Sequence, residues 1–182
     1  MISFEVTQDI KLKMLEESEA ETLFTLVDEN RLYLREWLPW LDFNLTTEES
    51  LAFIKSCRKQ YSDDLGFNGG IYYRDRLLGM CGFHQIDRLS RKVSIGYWIA
   101  QDAQGQGTVT ACVKFLIDYA FNELDLNKVS IPAAEYNHKS QAVPKRLGLA
   151  KEGIERDAEF LYDHYVNHVH YSVLRSEWMG YT

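Results

Sequence analysis

The stretch Val93-Ser94-Ile95-Gly96-Tyr97-Trp98-Ile99-Ala100, followed shortly by Gln104-Gly105-Gln106-Gly107, decides how this chain is read. The first run is rich in β-branched and aromatic residues, as a strand requires. Beyond the glycines, Val109, Val113, Leu116, Ile117, Ala120 and Phe121 recur at helical spacing and form one apolar face. A strand therefore passes through a glycine loop directly into a helix. A helix N-terminus carries unpaired N–H groups and roughly half a positive charge, so such a joint is a ready anion site. Glycines let the backbone approach a bulky phosphate closely. Two glycines also suit an ordinary tight turn. Their placement between a strand and a well-patterned helix is what points to a phosphate-containing cofactor.

Working outward, Val129, Ile131 and Ala133 alternate as the next strand, which a right-handed crossover sets parallel to the first. Pro132 lies inside that strand and cannot donate to a ladder, which fits a strand that parts from its neighbour and leaves room between them. A helix is predicted over 138–147 with Gly148 as its stop, and residues 149–174 read as two strands around a turn near Tyr162-Asp163. Upstream, Ile10-Lys11-Leu12-Lys13-Met14-Leu15 alternates as a half-buried strand. Ser18 with Glu21 suggests a capping box for a helix from about Glu19 to near Pro39, and Thr46 with Glu49 a second, for a helix to about Tyr61. Residues 70–73 and 77–86 read as strands joined at Arg74-Asp75-Arg76. The class is α/β (α+β). The expectation is one domain over residues 1–182, since the length suits one core and no Pro/Gly/Ser-rich linker interrupts it.

With 20 basic and 27 acidic residues the net charge is −7, which disfavours direct nucleic-acid binding because that rests on Lys/Arg contacts to phosphate. The same sign suits cationic partners, such as amines or basic proteins. Cys57, Cys81 and Cys112 are widely spaced and odd in number, favouring a reducing compartment over a disulfide framework. The first residues lack the basic and apolar regions of a signal peptide, and no apolar run reaches membrane-spanning length. A cytoplasmic protein without a membrane partner is expected. His164, His168 and His170 share a strand face by parity, but three ligands along one extended strand cannot surround an ion, so no metal is expected. A Cys112–His138 nucleophile pair has no supporting motif.

The ordered set Ile95-Gly96-Tyr97-Trp98-Ile99, Gln104-Gly105-Gln106-Gly107, Asn137-His138-Lys139-Ser140 and Arg146-Leu147-Gly148-Leu149 resembles the GCN5-related N-acetyltransferase (GNAT) superfamily. Within it the chain is most similar to the RimJ/RimL-type ribosomal-protein N-terminal acetyltransferases, and its ending, Asp163-His164 … His170-Tyr171-Ser172-Val173-Leu174, is of that branch's type. The resemblance implies a GNAT fold, with a mostly antiparallel mixed sheet flanked by helices and splayed between two central parallel strands. It implies acetyl-CoA as cofactor, with the pyrophosphate on the amides of Gln104, Gly105, Gln106, Gly107 and Thr108, beside Ile99 and Asn137. The acetyl-pantetheine arm would lie between strand 93–100 and the strand around 129–134.

The activity so implied is direct transfer of acetyl to an amine in a ternary complex, without an acyl-enzyme. The preferred acceptor is a protein N-terminal α-amine, that of a ribosomal protein; the same scaffold also acetylates polyamines, amino acids and antibiotics. A non-catalytic acyl-CoA-binding domain is the rival reading. Asn137…Ser140 reproduces the spacing of the branch's serine, which implies that Ser140 donates a hydrogen bond to the departing sulfur. Arg156-Asp157-Ala158-Glu159-Phe160 resembles the segment that supplies the base, making Glu159 the proton acceptor with Asp157 and Glu155 as alternatives. Trp37, Trp40 and Tyr97 border the implied acceptor groove, and a sheet edge or aromatic patch here suits contact with a second copy.

Three positions depart from the family pattern. Asp102 puts an acid beside the phosphate loop, and Ser94 stands where the branch often has Glu. Pro144 replaces the tyrosine acid of many members; it also lacks the N–H that would bond the Ser140 carbonyl, so the helix should be distorted there.

Overall fold

Near-continuous burial along the strands at 68–73 and 76–83 marks a sheet covered by helices on both faces. The computed structural model describes residues 2–178. Its strands are β1 (Ser3–Glu5), β2 (Ile10–Lys13), β3 (Asn68–Tyr73), β4 (Arg76–Phe83), β5 (Lys92–Ile99), β6 (Lys128–Ala134), β7 (Ala150–Leu161) and β8 (His164–Leu174). The helices are α1 (Ala20–Glu29), α2 (Arg31–Leu34), α3 (Thr47–Ser62), α4 (Thr108–Asn122), α5 (His138–Arg146) and α6 (Arg175–Trp178). The sheet order is β1-β2-β3-β4-β5-β6-β8-β7, antiparallel throughout except at the β5–β6 pair.

One face packs on α4, whose Cys112, Val113, Leu116, Ile117, Ala120 and Phe121 are buried against Ile71, Cys81, Phe83 and Ile95. The other packs on α1 and α3, where Leu23, Val27 and Ile54 meet Leu78, Met80 and Ile99. Each Leu, Ile, Val, Met or Phe among them, taken fully out of water, contributes about 1.5–3 kcal/mol. Tyr171 reaches from β8 to the buried Gln141 of α5 at 2.9 Å, and Gln141 in turn donates to the Ala134 and Glu135 carbonyls at 3.1 and 2.6 Å. This satisfied network seats α5 on β6 and β8.

The parallel pairing of β5 with β6 covers only Lys92–Lys128, Val93–Val129 and Ser94–Ser130. From there the two strands separate, although β6 stays paired with β8 as far as Ala134–His168 and β5 with β4 as far as Ile99–Gly79. Pro132 lies in the separated part of β6, where a missing N–H costs nothing toward β5. The sheet therefore opens at this one joint, as the proline leads one to expect.

Several boundaries differ from the sequence reading, among them the strands read over 77–86 and 10–15, which end at Phe83 and Lys13. The capping box is Glu16 with Glu19, not Ser18 with Glu21, because a 3-10 turn over Glu17–Glu19 precedes α1. Glu19 is also the residue that Lys13 Nζ and the Tyr72 hydroxyl reach, at 2.8 and 2.6 Å, whereas Glu21 is exposed. Helix does not continue to Pro39: α1 stops at Asn30, which bonds the Leu26 carbonyl at 2.9 Å, and α2 ends at Leu34. The Asn30 side chain also accepts the Gln101 N–H at 2.8 Å, tying this break to the glycine loop. The Thr46–Glu49 box and the Tyr162-Asp163 turn form as read; the turn read over Arg74-Asp75-Arg76 takes only Arg74 and Asp75, with Arg76 opening β4, and β1 is an additional edge strand.

Candidate active site

Gly105 and Gly107 both adopt left-handed backbone, with φ of +76° and +77°, and Gly107 is the N-cap of α4. A Cβ built on either would meet nothing within 4 Å, so glycine is needed here for its φ and leaves an open concave loop in front. The N–H groups from Gly105 to Thr110 have no hydrogen-bond partner among the described residues; the first turn begins with Ala111 donating to the Gly107 carbonyl at 3.0 Å. These donors, at the positive end of a helix dipole, form a cradle for an anion.

The cradle opens into a cavity of about 1010 Å³ that runs up between β5 and α5. Ile99, Gln104, Gly105, Gln106, Gly107, Thr108 and Asn137 all line it. Among the described residues no carboxylate does, whereas Lys114, Lys139 and Arg146 do. Lys139 donates to Gln104 Oε1 at 2.9 Å and Arg146 to Thr110 Oγ1 at 3.3 Å, and neither has a carboxylate partner among the described residues. Gln104 also donates to the Tyr33 hydroxyl and so bridges the mouth from α5 to α2. In a chain of net charge −7 this is a locally cationic chamber shaped for a phosphate-bearing molecule. Asp102 is no obstacle: its carboxylate pairs with Arg76 at 2.6 Å and does not line the chamber.

A second cavity of about 630 Å³ lies on the far side of the strand gap. The two share Trp37, Leu38, Tyr97, Trp98, Asn137 and Ser140, so these residues form the neck between them. The second chamber has the opposite character. Glu49 and Glu159 line it with His84 and His168, and among the described residues no Lys or Arg does. Its walls include Trp40, set 6.2 Å from Trp98, and Pro132. Burial lowers the pKa of His84, keeping that ring neutral at pH 7.

Ser140 sits in the first turn of α5, half-buried at the neck. Its N–H donates to the capping side chain of Asn137 at 3.0 Å, and its carbonyl accepts the Tyr97 hydroxyl at 2.8 Å. Glu159 follows a bulge: Glu155 pairs with His168 and Glu159 with Val166, so β7 carries extra residues over this span. Of the three carboxylates considered, only Glu159 lines the chamber; Glu155 pairs outside it with His170 at 2.7 Å, and Asp157 is exposed. His168 Nε2 stands 3.5 Å from Glu159, while His164 pairs with Asp163. Among the described residues no three His, Cys, Asp or Glu converge as metal ligands. Cys112 is buried inside α4, its thiol pushed up to about 12 by burial, and so is no nucleophile.

Sequence reasoning missed the cationic lining and the second chamber's His84, Glu49, Phe43 and Phe53. Helical spacing held a signal for the former, since Lys139, Val143 and Arg146 form one stripe on α5 and Gly107, Ala111 and Lys114 one on α4.

The acetyltransferase (GNAT) domain family matches residues 9–150 of the chain. This protein belongs to the GNAT acetyltransferase family. Among GNAT relatives, YdaF of Bacillus subtilis (strain 168), which bears the provisional name of ribosomal N-acetyltransferase, is 39% identical over 99% of both chains. The ribosomal-protein-serine acetyltransferase of Escherichia coli (strain K12) is 26% identical over 90% of this chain and 91% of its own. Among solved GNAT structures, the microcin C7 self-immunity acetyltransferase MccE, in complex with acetyl-CoA and AMP, superposes with a TM-score of 0.89 at 26% identity, covering 94% of this chain and 95% of its own. The GNAT fold and the acetyltransferase class read from the motifs are thereby borne out.

Proposed function

We propose that this acetyltransferase moves the acetyl group of acetyl-CoA onto the N-terminal α-amine of a protein, of the ribosomal-protein type. The observation that carries the reading is the pair of chambers of opposite charge joined at Ser140 and Tyr97. The cationic chamber, with its free N–H cradle, suits a pyrophosphate; the acidic one suits an ammonium. Bound acetyl-CoA supplies a thioester whose carbonyl an amine attacks, with the C–N bond forming as the C–S bond breaks. Glu159 takes the surplus proton of the attacking amine, whose nitrogen becomes far more acidic as the C–N bond forms. His168, 3.5 Å away, can relay that proton toward solvent. Ser140 donates a hydrogen bond to the departing sulfur, so that charge does not build up there unmet.

A peptide fits the acidic chamber better than a polyamine does. Phe43 and Phe53 line it yet are 77% and 40% exposed, an apolar rim beyond the acids that can cover a side chain following the N-terminal residue. The relatives named for ribosomal proteins support the same acceptor. The three free buried thiols accord with a cytoplasmic setting.

The test is CoA release with acetyl-CoA and a panel of peptides differing at the second residue, with spermidine alongside. The reading expects turnover of free-amine peptides, faster with an apolar second residue, and loss of that preference in Phe43→Ser. Glu159→Gln should lower kcat. Turnover of spermidine alone would replace the acceptor class, and CoA binding without turnover of any amine would leave only a binding module.

A further inference from the structure

We propose that Tyr97 is a positioning residue for Ser140, made necessary by Pro144; this rests on the reading of Ser140 as donor to the leaving sulfur. In a regular helix the N–H of residue 144 would bond the carbonyl of residue 140. Pro144 has no N–H, so α5 leaves the Ser140 carbonyl without its helical donor. The Tyr97 hydroxyl takes that place at 2.8 Å, and the same oxygen lies 3.4 Å from Ser140 Oγ. One phenol thus meets both oxygens of Ser140: it donates to the carbonyl, and its lone pair faces the hydroxyl.

The origin of that phenol matters. Tyr97 projects from the part of β5 that no longer pairs with β6, and its ring lines both chambers. The first turns of α5 are tied to β6 and β8 through Gln141, and across the gap to β5 through Tyr97. Tyr97 therefore sets the distance between α5 and β5 at the height of Ser140, where the cofactor's arm and the amine must meet. Burial raises the Tyr97 pKa, so the hydroxyl remains a donor at any working pH. A conventional residue at 144 would bond the carbonyl within α5 and remove the need for this tie.

The experiment is a pair of double-mutant cycles on the full chain, read as kcat and KM with acetyl-CoA and the best peptide of the panel. Tyr97→Phe should lower kcat roughly ten- to a hundredfold, the scale of a small misplacement of a reacting group, with KM for acetyl-CoA changed less than about threefold. Pro144→Ala restores an N–H at residue 144, so Tyr97→Phe made in that background should lose less than about threefold relative to Pro144→Ala alone. In a Ser140→Ala background Tyr97→Phe should cost nothing further, because its route to the chemistry is gone. Thermal unfolding of each variant separates lost folding from lost rate. An unchanged kcat in Tyr97→Phe, the same loss with and without Pro144, or the same loss with and without the Ser140 hydroxyl would each overturn the proposal. If Ser140→Ala alone turned over like the wild type, the donor reading of Ser140 would fall instead, so the two failures are told apart.

Discussion

Gly107→Ala and Gly148→Ala form a matched pair that tests whether the loop before α4 is a phosphate cradle or merely a turn. Gly107 has φ +77° and Gly148 φ +74°; both flank a helix, and a Cβ on either meets nothing within 4 Å. With no clash at either site, each substitution should cost only the left-handed penalty of an L-residue, about 1–2 kcal/mol of folding stability. The two variants should then have similar urea midpoints below the wild type. Their affinities for CoA should diverge. Only Gly107 lies in the row of unpartnered N–H groups, so relaxation of its φ re-aims donors and places a methyl in the cradle. Loss of one charge-assisted hydrogen bond is worth ~1.5–3 kcal/mol, which weakens Kd roughly 10- to 150-fold. Calorimetric titration of CoA into the two folded variants reads the difference directly. Equal affinities for Gly107→Ala and Gly148→Ala would refute the cradle and return the loop to an ordinary turn.

Two other perturbations follow, one from a contact beside the site and one from a carboxylate that anchors the start of α1 to the sheet. Tyr162, at the β7–β8 turn, donates to the Leu38 carbonyl at 2.6 Å and carries the Arg35 guanidinium 3.7 Å over its ring; Tyr162→Phe should cost about 1 kcal/mol in urea unfolding and raise KM for the amine more than for acetyl-CoA, since Pro39 and Trp40, which follow Leu38, line the acidic chamber and not the cationic one. Glu19 meets opposing influences: burial disfavours its charge, but the Glu16 N–H, Lys13 and the Tyr72 hydroxyl outweigh it and hold its pKa below the usual carboxylate range. A carboxyl with a depressed folded-state pKa stabilises the fold above its unfolded pKa and loses that stability as pH falls through the folded one. Glu19→Gln should therefore be less stable than the wild type at pH 7, with the gap closing on acidification below pH ~4.3. A gap of constant size in denaturation midpoints across that range would count against the assignment.

Some of this could be read from residue types because a single physical rule fixed the outcome. Pro132 cannot donate to a ladder whatever surrounds it, and Gly105 and Gly107 are among the few residues that enter left-handed turns freely, so the gap and the loop were legible. The Thr46–Glu49 box needed only local spacing. The features that escaped are those set by partners distant in sequence. Glu19 outcompetes Glu21 as the capping carboxylate because Lys13 and Tyr72 reach it across the sheet. Asp102 looked unfavourable beside a phosphate loop, yet Arg76 from the start of β4 draws its carboxylate aside. The acidic chamber gathers Glu49, His84, Glu159 and His168 from four separate segments, and no local pattern joins them.

The chain has three prolines: Pro39 and Pro132 line the acidic chamber, and Pro144 is buried in α5, the helix that borders the cleft. Each denies a backbone hydrogen bond that regular structure would otherwise make at that position. Pro39 falls in the irregular segment between α2 and α3, with Trp37 and Trp40 on either side, and lines the acidic chamber instead of extending a helix across it. Pro132 leaves β6 nothing to offer β5 at that position, so the strands can part without stranding a donor there. Pro144 leaves the Ser140 carbonyl open, and the bond it would have made inside α5 is made across the gap by Tyr97. The last two are complementary. A cleft opened by loss of strand pairing is free to vary in width, and the tie from Tyr97 to α5 sets a width where chemistry requires one. If so, the cost of Tyr97→Phe should depend on Pro144 far more than on any residue of the glycine loop. That ordering separates a gap held open by design of the backbone from one that a bound cofactor merely props apart.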